Sequence, residues 1–298
     1  MLVKEIEGRI LRSVAGFYYV ETGDAVLECR AKGIFRKQKI KPVAGDLCIV
    51  QQEKEDEMPM VAEILPRKNI LVRPPIANLD CLYIVVSMVK PTPNYAVLDS
   101  LLVTAEFHHV PVAIIFTKTD LESEKELKEI YGTLAKYPVF SVNYENAASI
   151  TAIKDRLEGQ FSAFCGNSGV GKSTLLNAIA PDTQADTAPI SDKLGRGKHT
   201  TREVRVYRLS RNTLLADTPG FSSIEINDTG KIPPEELADC FPEFTPFLGE
   251  CKFRNCVHVG EIGCSVKTAV ENGQIAKSRY DSYVELYKEA KARNAWEE

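Results

Sequence analysis

Three consecutive domains are predicted: a small N-terminal β-barrel, a central α/β domain and a mostly helical C-terminal domain. Short strand-like runs fill residues 1–66, apolar strands and helices alternate over 67–228, and helical patterning broken by a cysteine cluster occupies 229–298. With 298 residues, 44% hydrophobic and 26% charged, the chain has enough apolar material for several cores within a soluble composition.

In the first domain the runs are Gly8-Arg9-Ile10-Leu11-Arg12, Phe17-Tyr18-Tyr19-Val20-Glu21, Ala25-Val26-Leu27-Glu28-Cys29 and Leu47-Cys48-Ile49-Val50, separated by Gly- and Asp-containing turns. About five strands in this length suit a closed barrel; the OB-fold leads, and an SH3-like barrel fits the same pattern. Arg73-Pro74-Pro75 marks a connection. Beyond it, strands are expected at Leu82–Ser87, Val110–Phe116, Val139–Val142 and Phe161–Cys165, with helices over 94–107, 122–131 and 150–157. This alternation implies a mostly parallel sheet with ligand loops at the strand C-termini. Glu203–Leu209 and Thr213–Ala216 read as a hairpin. Helical patterning resumes from Ile232 and ends in a charged amphipathic helix over Tyr280–Trp296.

Directly after Phe161–Cys165 comes Gly166-Asn167-Ser168-Gly169-Val170-Gly171-Lys172-Ser173-Thr174, followed by a helix-like stretch to Ile179. This is the G-x-x-x-x-G-K-[ST] phosphate loop. Its glycines let consecutive N–H groups turn toward a β-phosphate at a helix N-terminus. Lys172 is expected on the β- and γ-oxygens and the Ser173 hydroxyl on Mg²⁺.

Thr117-Lys118-Thr119-Asp120 ends the strand Val110–Phe116. A carboxylate there can accept both the ring N–H and the amine of guanine, whereas adenine leaves it unpaired. Lys118 is expected along the base. Thr117 stands where this motif usually has Asn, and its hydroxyl can still brace the phosphate loop. Ser141-Val142-Asn143, following Val139-Phe140 of the next strand, sits where a backbone N–H could meet the guanine carbonyl. Asp217-Thr218-Pro219-Gly220 follows a strand: Asp217 suits a water-mediated hold on Mg²⁺ and the Gly220 N–H can sense a γ-phosphate.

Between these motifs, Gly195-Arg196-Gly197-Lys198-His199-Thr200-Thr201 fits a switch loop, with Thr200 or Thr201 as a Mg²⁺ ligand. Phe221 replaces the water-orienting side chain common after this glycine; His199 is the nearest group able to orient water, or else it contacts phosphate or a partner. Intrinsic turnover is then slow, on the order of 10⁻⁴ to 10⁻² per second, and raised by a partner. The base-reading motif precedes the phosphate loop, the reverse of the ordinary order, so the parts describe a circularly permuted, GTP-hydrolysing G domain.

Of eight cysteines, Cys29, Cys48, Cys81, Cys165 and Cys240 are scattered, as expected of reduced thiols. The other three form Cys251-x4-Cys256-x-His258-x5-Cys264, four soft-to-borderline ligands with no open position, which describes one structural Zn²⁺. Net charge is −4, yet Arg30, Lys32, Arg36, Lys37, Lys39 and Lys41 form a run without an acidic residue. That run is either a solvated loop or a phosphate-facing patch for RNA. No segment has signal-peptide character or the length to span a bilayer, so a cytoplasmic location without membrane contact is expected.

The barrel, TKTD ahead of GNSGVGKS, then GRGKHTT, DTPGF and the Cys-Cys-His-Cys segment together resemble the family of small-ribosomal-subunit-dependent GTPase A (RsgA, also YjeQ or YloQ) over essentially the whole chain. The resemblance implies an OB-fold, a C-terminal zinc domain and GTPase activity stimulated by the small ribosomal subunit during its late maturation. The expected partners are the small subunit, its rRNA and GTP or GDP, and a monomer is expected. It carries over Gly166 to Thr174, Asp217 to Gly220, Thr117 to Asp120 and the four zinc ligands; His199 matches the family's proposed catalytic histidine, and Phe221 its apolar substitution. A transport or metabolic ATPase would lack use for Asp120, and a non-catalytic RNA-binding module would lack use for Lys172, Ser173 and Asp217.

Overall fold

The computed structural model describes residues 4–23, 25–54, 57–181, 204–217 and 232–297. In chain order the strands and helices are β1 (Lys4–Val14), β2 (Phe17–Glu21), β3 (Val26–Ala31), α1 (Ile34–Gln38), β4 (Leu47–Gln52), β5 (Met60–Ile64), β6 (Ile70–Leu71), β7 (Ile76–Ala77), β8 (Cys81–Ser87), α2 (Tyr95–Phe107), β9 (Val112–Thr117) and α3 (Lys125–Leu127). There follow β10 (Val139–Val142), α4 (Ala147–Leu157), β11 (Phe161–Cys165), α5 (Lys172–Ile179), β12 (Arg205–Arg208), β13 (Leu214–Asp217), α6 (Ser265–Glu271) and α7 (Lys277–Glu297). The chain forms two compact units.

In the first unit, β1 to β5 close a barrel in the order β1-β2-β3-β5-β4. β1 pairs antiparallel with both β2 and β4, and β3 pairs parallel with β5, which is the OB arrangement. One face of each strand turns inward, so Ile10, Val20, Cys29, Cys48, Val50 and Val61 fill the interior. Phe35 joins them from α1, a five-residue helix within the basic run that sequence patterning did not reveal. Burial raises the Cys29 thiol to about 11 and the Cys48 thiol to about 12, so both stay protonated packing groups.

Below the barrel, the fully buried Asp46 accepts from the Val43 N–H at 2.8 Å and from Arg67 through Nε at 2.6 Å and Nη2 at 2.8 Å. Gly45 has φ +88°, and an added Cβ there would lie 2.0 Å from the Ala77 carbonyl oxygen. The same unit contains β11, β13 and β12: β11 runs parallel to β13, with Phe164 opposite Asp217, and β12–β13 is the expected hairpin. Asp80 and Phe161 exchange two bonds, Asp80 N–H to the Phe161 carbonyl at 2.8 Å and Phe161 N–H to Asp80 Oδ2 at 2.7 Å. The strand that enters the phosphate loop therefore starts from a fixed point.

The second unit holds β10, β9 and β8, in that order and all parallel. Every residue of β8 and β9 is buried, as strands covered on both faces must be. The Asn94 side chain caps α2 by accepting the Val97 N–H at 3.1 Å. α3 continues into a π-helical stretch, Lys128–Leu134, which carries Tyr131.

From Ile232 the expected helical patterning takes the form of short 3₁₀ helices, Pro234–Glu236, Ala238–Cys240 and Pro242–Phe247, followed by the cysteine segment, α6 and α7. Prolines 233, 234, 242 and 246 remove the N–H groups and starting geometry that a continuous α-helix needs. Phe241 and Phe244 stack at 5.0 Å, and Tyr283 of α7 meets both edge-on at 5.4 and 5.1 Å. Val103 of α2 belongs to this same cluster.

Beside it lies a fully buried charge network. Arg279 of α7 donates through Nε to Glu243 Oε1 at 2.6 Å, through Nη2 to Glu243 Oε2 at 3.2 Å and through Nη1 to Asp99 Oδ1 at 2.7 Å. The Tyr131 hydroxyl donates to the same Asp99 oxygen at 2.9 Å. Burial works against the guanidinium charge, but Asp99 and Glu243 outweigh it and hold the Arg279 pKa well above its ordinary value.

Candidate nucleotide site and metal centre

Residues 166–171 form the turn between β11 and α5. Gly166, Gly169 and Gly171 have φ of +140°, +79° and +98°, backbone conformations that side-chain-bearing residues rarely adopt. A Cβ on Gly166 would lie 2.3 Å from the Val85 carbonyl oxygen, so only glycine passes this point of β8. Val170 is buried, while Ser168, Ser173 and Thr174 are exposed at the loop's open side. Lys172 opens α5 and folds its Nζ back onto the carbonyls of Gly166 at 2.7 Å and Asn167 at 2.9 Å. The ammonium therefore sits over the turn beside the N-terminus of α5, a position suited to an anion.

The base-reading motif stands directly against this loop. Thr117, buried at the end of β9, donates its hydroxyl to the Val170 carbonyl at 2.6 Å. Lys118 donates to the carbonyls of Gly169 at 3.2 Å, Val89 at 2.8 Å and Lys90 at 2.7 Å. The ammonium is thus pinned at its tip, which leaves the methylene stem as a flat apolar strip. Thr119 ties the motif to β10 by donating to the Val142 carbonyl at 3.1 Å. Asp120, at the end of the motif, is exposed.

Ser141 donates its hydroxyl to Glu124 Oε1 at 2.7 Å, a partner that sequence gave no sign of. Burial opposes ionisation of Glu124, but bonds from Lys128 and Ser141 prevail and hold its pKa below the ordinary value. Tyr144 was also missed; its hydroxyl donates to the Gly171 carbonyl at 3.4 Å. Thr117 to Asp120, Ser141 and Gly166 to Thr174 are therefore brought together in one unit. For Asp217 the backbone alone is described, at the end of β13 in the other unit. His199, Thr200, Thr201 and Gly220 lie outside the described residues.

The second cluster unites Cys251, Cys256, His258 and Cys264, whose ligand atoms all lie within 4.8 Å of one another. Cys251 Sγ is 4.0 Å from Cys264 Sγ and 3.5 Å from His258 Nδ1, which is 3.4 Å from Cys264 Sγ. A tetrahedral ion with bonds of about 2.3 Å to sulfur requires S···S separations of about 3.8 Å, so the Cys₃His set is compatible with zinc.

The surroundings hold the loop in shape. Tyr280 donates to the His258 carbonyl at 2.8 Å and Tyr283 to the Val257 carbonyl at 2.6 Å. The Glu261 carboxylate accepts N–H groups of Val257, Val259 and Gly260, each at 3.0 Å. Burial would raise the Glu261 pKa, but these bonds carry it down to about 2. Burial likewise works against the Cys251 thiolate, but bonds from Ser265, among them its N–H at 3.4 Å, lower the Cys251 pKa, whereas burial raises those of Cys256 and Cys264.

Comparison with known proteins agrees with this geometry. The RsgA GTPase family model matches residues 64–227, and the RsgA N-terminal domain model matches residues 7–58. The chain is 41% identical to the small ribosomal subunit biogenesis GTPase RsgA of Agathobacter rectalis, over 97% of this chain and 99% of that protein. It resembles the crystal structure of YloQ, a circularly permuted GTPase, with TM-score 0.79 and 37% identity over 97% of this chain and 96% of that one. YjeQ from Thermotoga maritima gives TM-score 0.78 and 34% identity, over 96% and 99% of the two chains. This chain belongs to the RsgA GTPase family.

Proposed function

We propose that this protein hydrolyses GTP to GDP and phosphate on a permuted G domain, is stimulated by the small ribosomal subunit and acts in late maturation of that subunit. The observation that carries the reading is the contact of Thr117 and Lys118 with the Val170 and Gly169 carbonyls. Two motifs in reversed chain order thereby form one base-to-phosphate site. Asp120 is the guanine acceptor, and a backbone N–H near Ser141 meets the guanine carbonyl. The N–H groups of Gly166 to Thr174 hold the phosphates and Lys172 their β- and γ-oxygens. Ser173 and Asp217, together with Thr200 or Thr201, would hold Mg²⁺, whose charge would offset the negative charge of the phosphates. Gly220 senses the γ-phosphate and His199 orients water.

One zinc held by Cys251, Cys256, His258 and Cys264 keeps the C-terminal segment in shape. The OB barrel, with the basic run from Arg30 to Lys41, and the zinc segment grip ribosomal RNA. We take the protein to act as a cytoplasmic monomer.

The decisive experiment is GTP turnover with and without purified small subunits. Stimulation of wild type, with a loss of GTP preference in Asp120→Asn, is expected. Equal use of ATP by wild type, or no phosphate release with subunits present, refutes the proposal. Replacing Arg36, Lys37 and Lys39 with Ala is expected to weaken subunit binding at unchanged GTP affinity, as read by sedimentation and nucleotide titration.

A further inference from the structure

Tyr144 follows the β10 segment by two residues, in a turn fixed by Asn143. The Asn143 side chain accepts the Glu145 N–H at 2.8 Å, and its carbonyl accepts the Ser149 hydroxyl at 2.9 Å. A turn braced at both ends aims the phenol at the phosphate loop, where it donates to the Gly171 carbonyl at 3.4 Å. A Cβ placed on Gly171 would sit 3.4 Å from that hydroxyl oxygen and 3.8 Å from Thr117 Oγ1, so the tip of Tyr144 reaches the spot where base loop and phosphate loop meet. Tyr144 is 37% exposed, unlike Tyr131 and Tyr83, which are wholly buried. Burial raises its pKa, so the hydroxyl stays a donor at neutral pH.

Tyr144 thus bridges the segment following β10 to Gly171, while Lys118 holds Gly169 two residues earlier. On the nucleotide reading the purine enters between these two contacts. The tether to Gly171 is long for a hydroxyl donor and so is readily exchanged. We propose that Tyr144 is a nucleotide-retaining residue: its hydroxyl releases Gly171 as the base enters, and its ring then packs on the base. This rests on the nucleotide reading above. An aromatic face suits any purine, so Tyr144 governs residence time, leaving the choice of guanine to Asp120.

Tyr144→Trp in a Trp296→Phe background gives a single-tryptophan reporter, because Trp296 is the chain's one tryptophan. The proposal expects its emission to change on addition of GDP and to stay unchanged with pyrophosphate, which fills the phosphate loop without a base. Fluorescent GDP should leave Tyr144→Ala about tenfold faster than wild type, with Tyr144→Phe retaining slow release and associating faster. GDP bound in calorimetry with emission unchanged and Tyr144→Ala release within twofold of wild type overturns the proposal. A response to pyrophosphate equal to that of GDP also overturns it, since the ring would then follow the phosphate loop. If GDP fails to bind wild type, the nucleotide reading itself falls, and this inference with it.

Discussion

Replacing Arg279 with Leu tests how the C-terminal segment is held. The guanidinium is fully buried and makes three charge-assisted bonds of 2.6, 2.7 and 3.2 Å to two carboxylates that are themselves almost wholly buried. It also lies over the Phe241 ring at 4.6 Å. Removing one partner of a buried ion pair costs about 3–5 kcal/mol, chiefly because the remaining charge is stranded away from water. Here two carboxylates are stranded, so about 4 kcal/mol or more is expected. At about 1.4 kcal/mol per decade, that is roughly a thousandfold more frequent opening.

A chain of several domains need not unfold in one step, so local hydrogen exchange in α7 and in 241–247 is the suitable measurement. Protection there should fall by about three decades while barrel amides stay unchanged. The triple change Asp99→Asn, Glu243→Gln and Arg279→Met removes all three charges together and should recover most of the loss. Protection within threefold of wild type in Arg279→Leu, or no recovery in the triple variant, refutes the reasoning.

Thr117→Ala strands the buried Val170 carbonyl, worth about 1–3 kcal/mol, and should weaken GDP binding by about tenfold or more in calorimetry. Thr117→Asn, which restores a donor, should regain most of that affinity. Gly166→Ala drives a Cβ to 2.3 Å from the Val85 carbonyl at φ +140°, so GDP binding should vanish while exchange protection in the barrel persists. Metal analysis should find one zinc per chain; stripping it, or Cys256→Ser, should abolish exchange protection over 251–264, since a structural zinc contributes on the order of 10 kcal/mol to folding.

The parts legible in the sequence were those whose chemistry is local. The phosphate-loop pattern needs glycines and a lysine at fixed spacing, and the cysteine segment packs four candidate ligands into fourteen residues, so both patterns stand out in the sequence. Strand order in the barrel was less legible, because alternation marks an inward face without naming a partner; the parallel pairing of β3 with β5 separates the OB arrangement from the alternative. Three contributions left no local mark. Arg279 meets Asp99 across 180 residues and Glu243 across 36. Glu124, the partner of Ser141, is one acid among several in a charged stretch. The 3₁₀ form of the turns after Ile232 has a local cause in the four prolines, which helical patterning alone did not separate from α-helix.

The placement of α2 has a practical consequence for anyone wishing to dissect this molecule. Its Val103 is roofed by the aromatic cluster of the tail, and its Asp99 sits under a guanidinium that arrives from near the end of the chain. Deleting everything from Ile232 onward would bare that flank of the helix, exposing apolar Val103 to water and leaving Asp99 without its guanidinium partner. A minimal nucleotide hydrolase cannot be trimmed from this protein at its C-terminal side, and chimeras must move α2 and the tail as a matched pair.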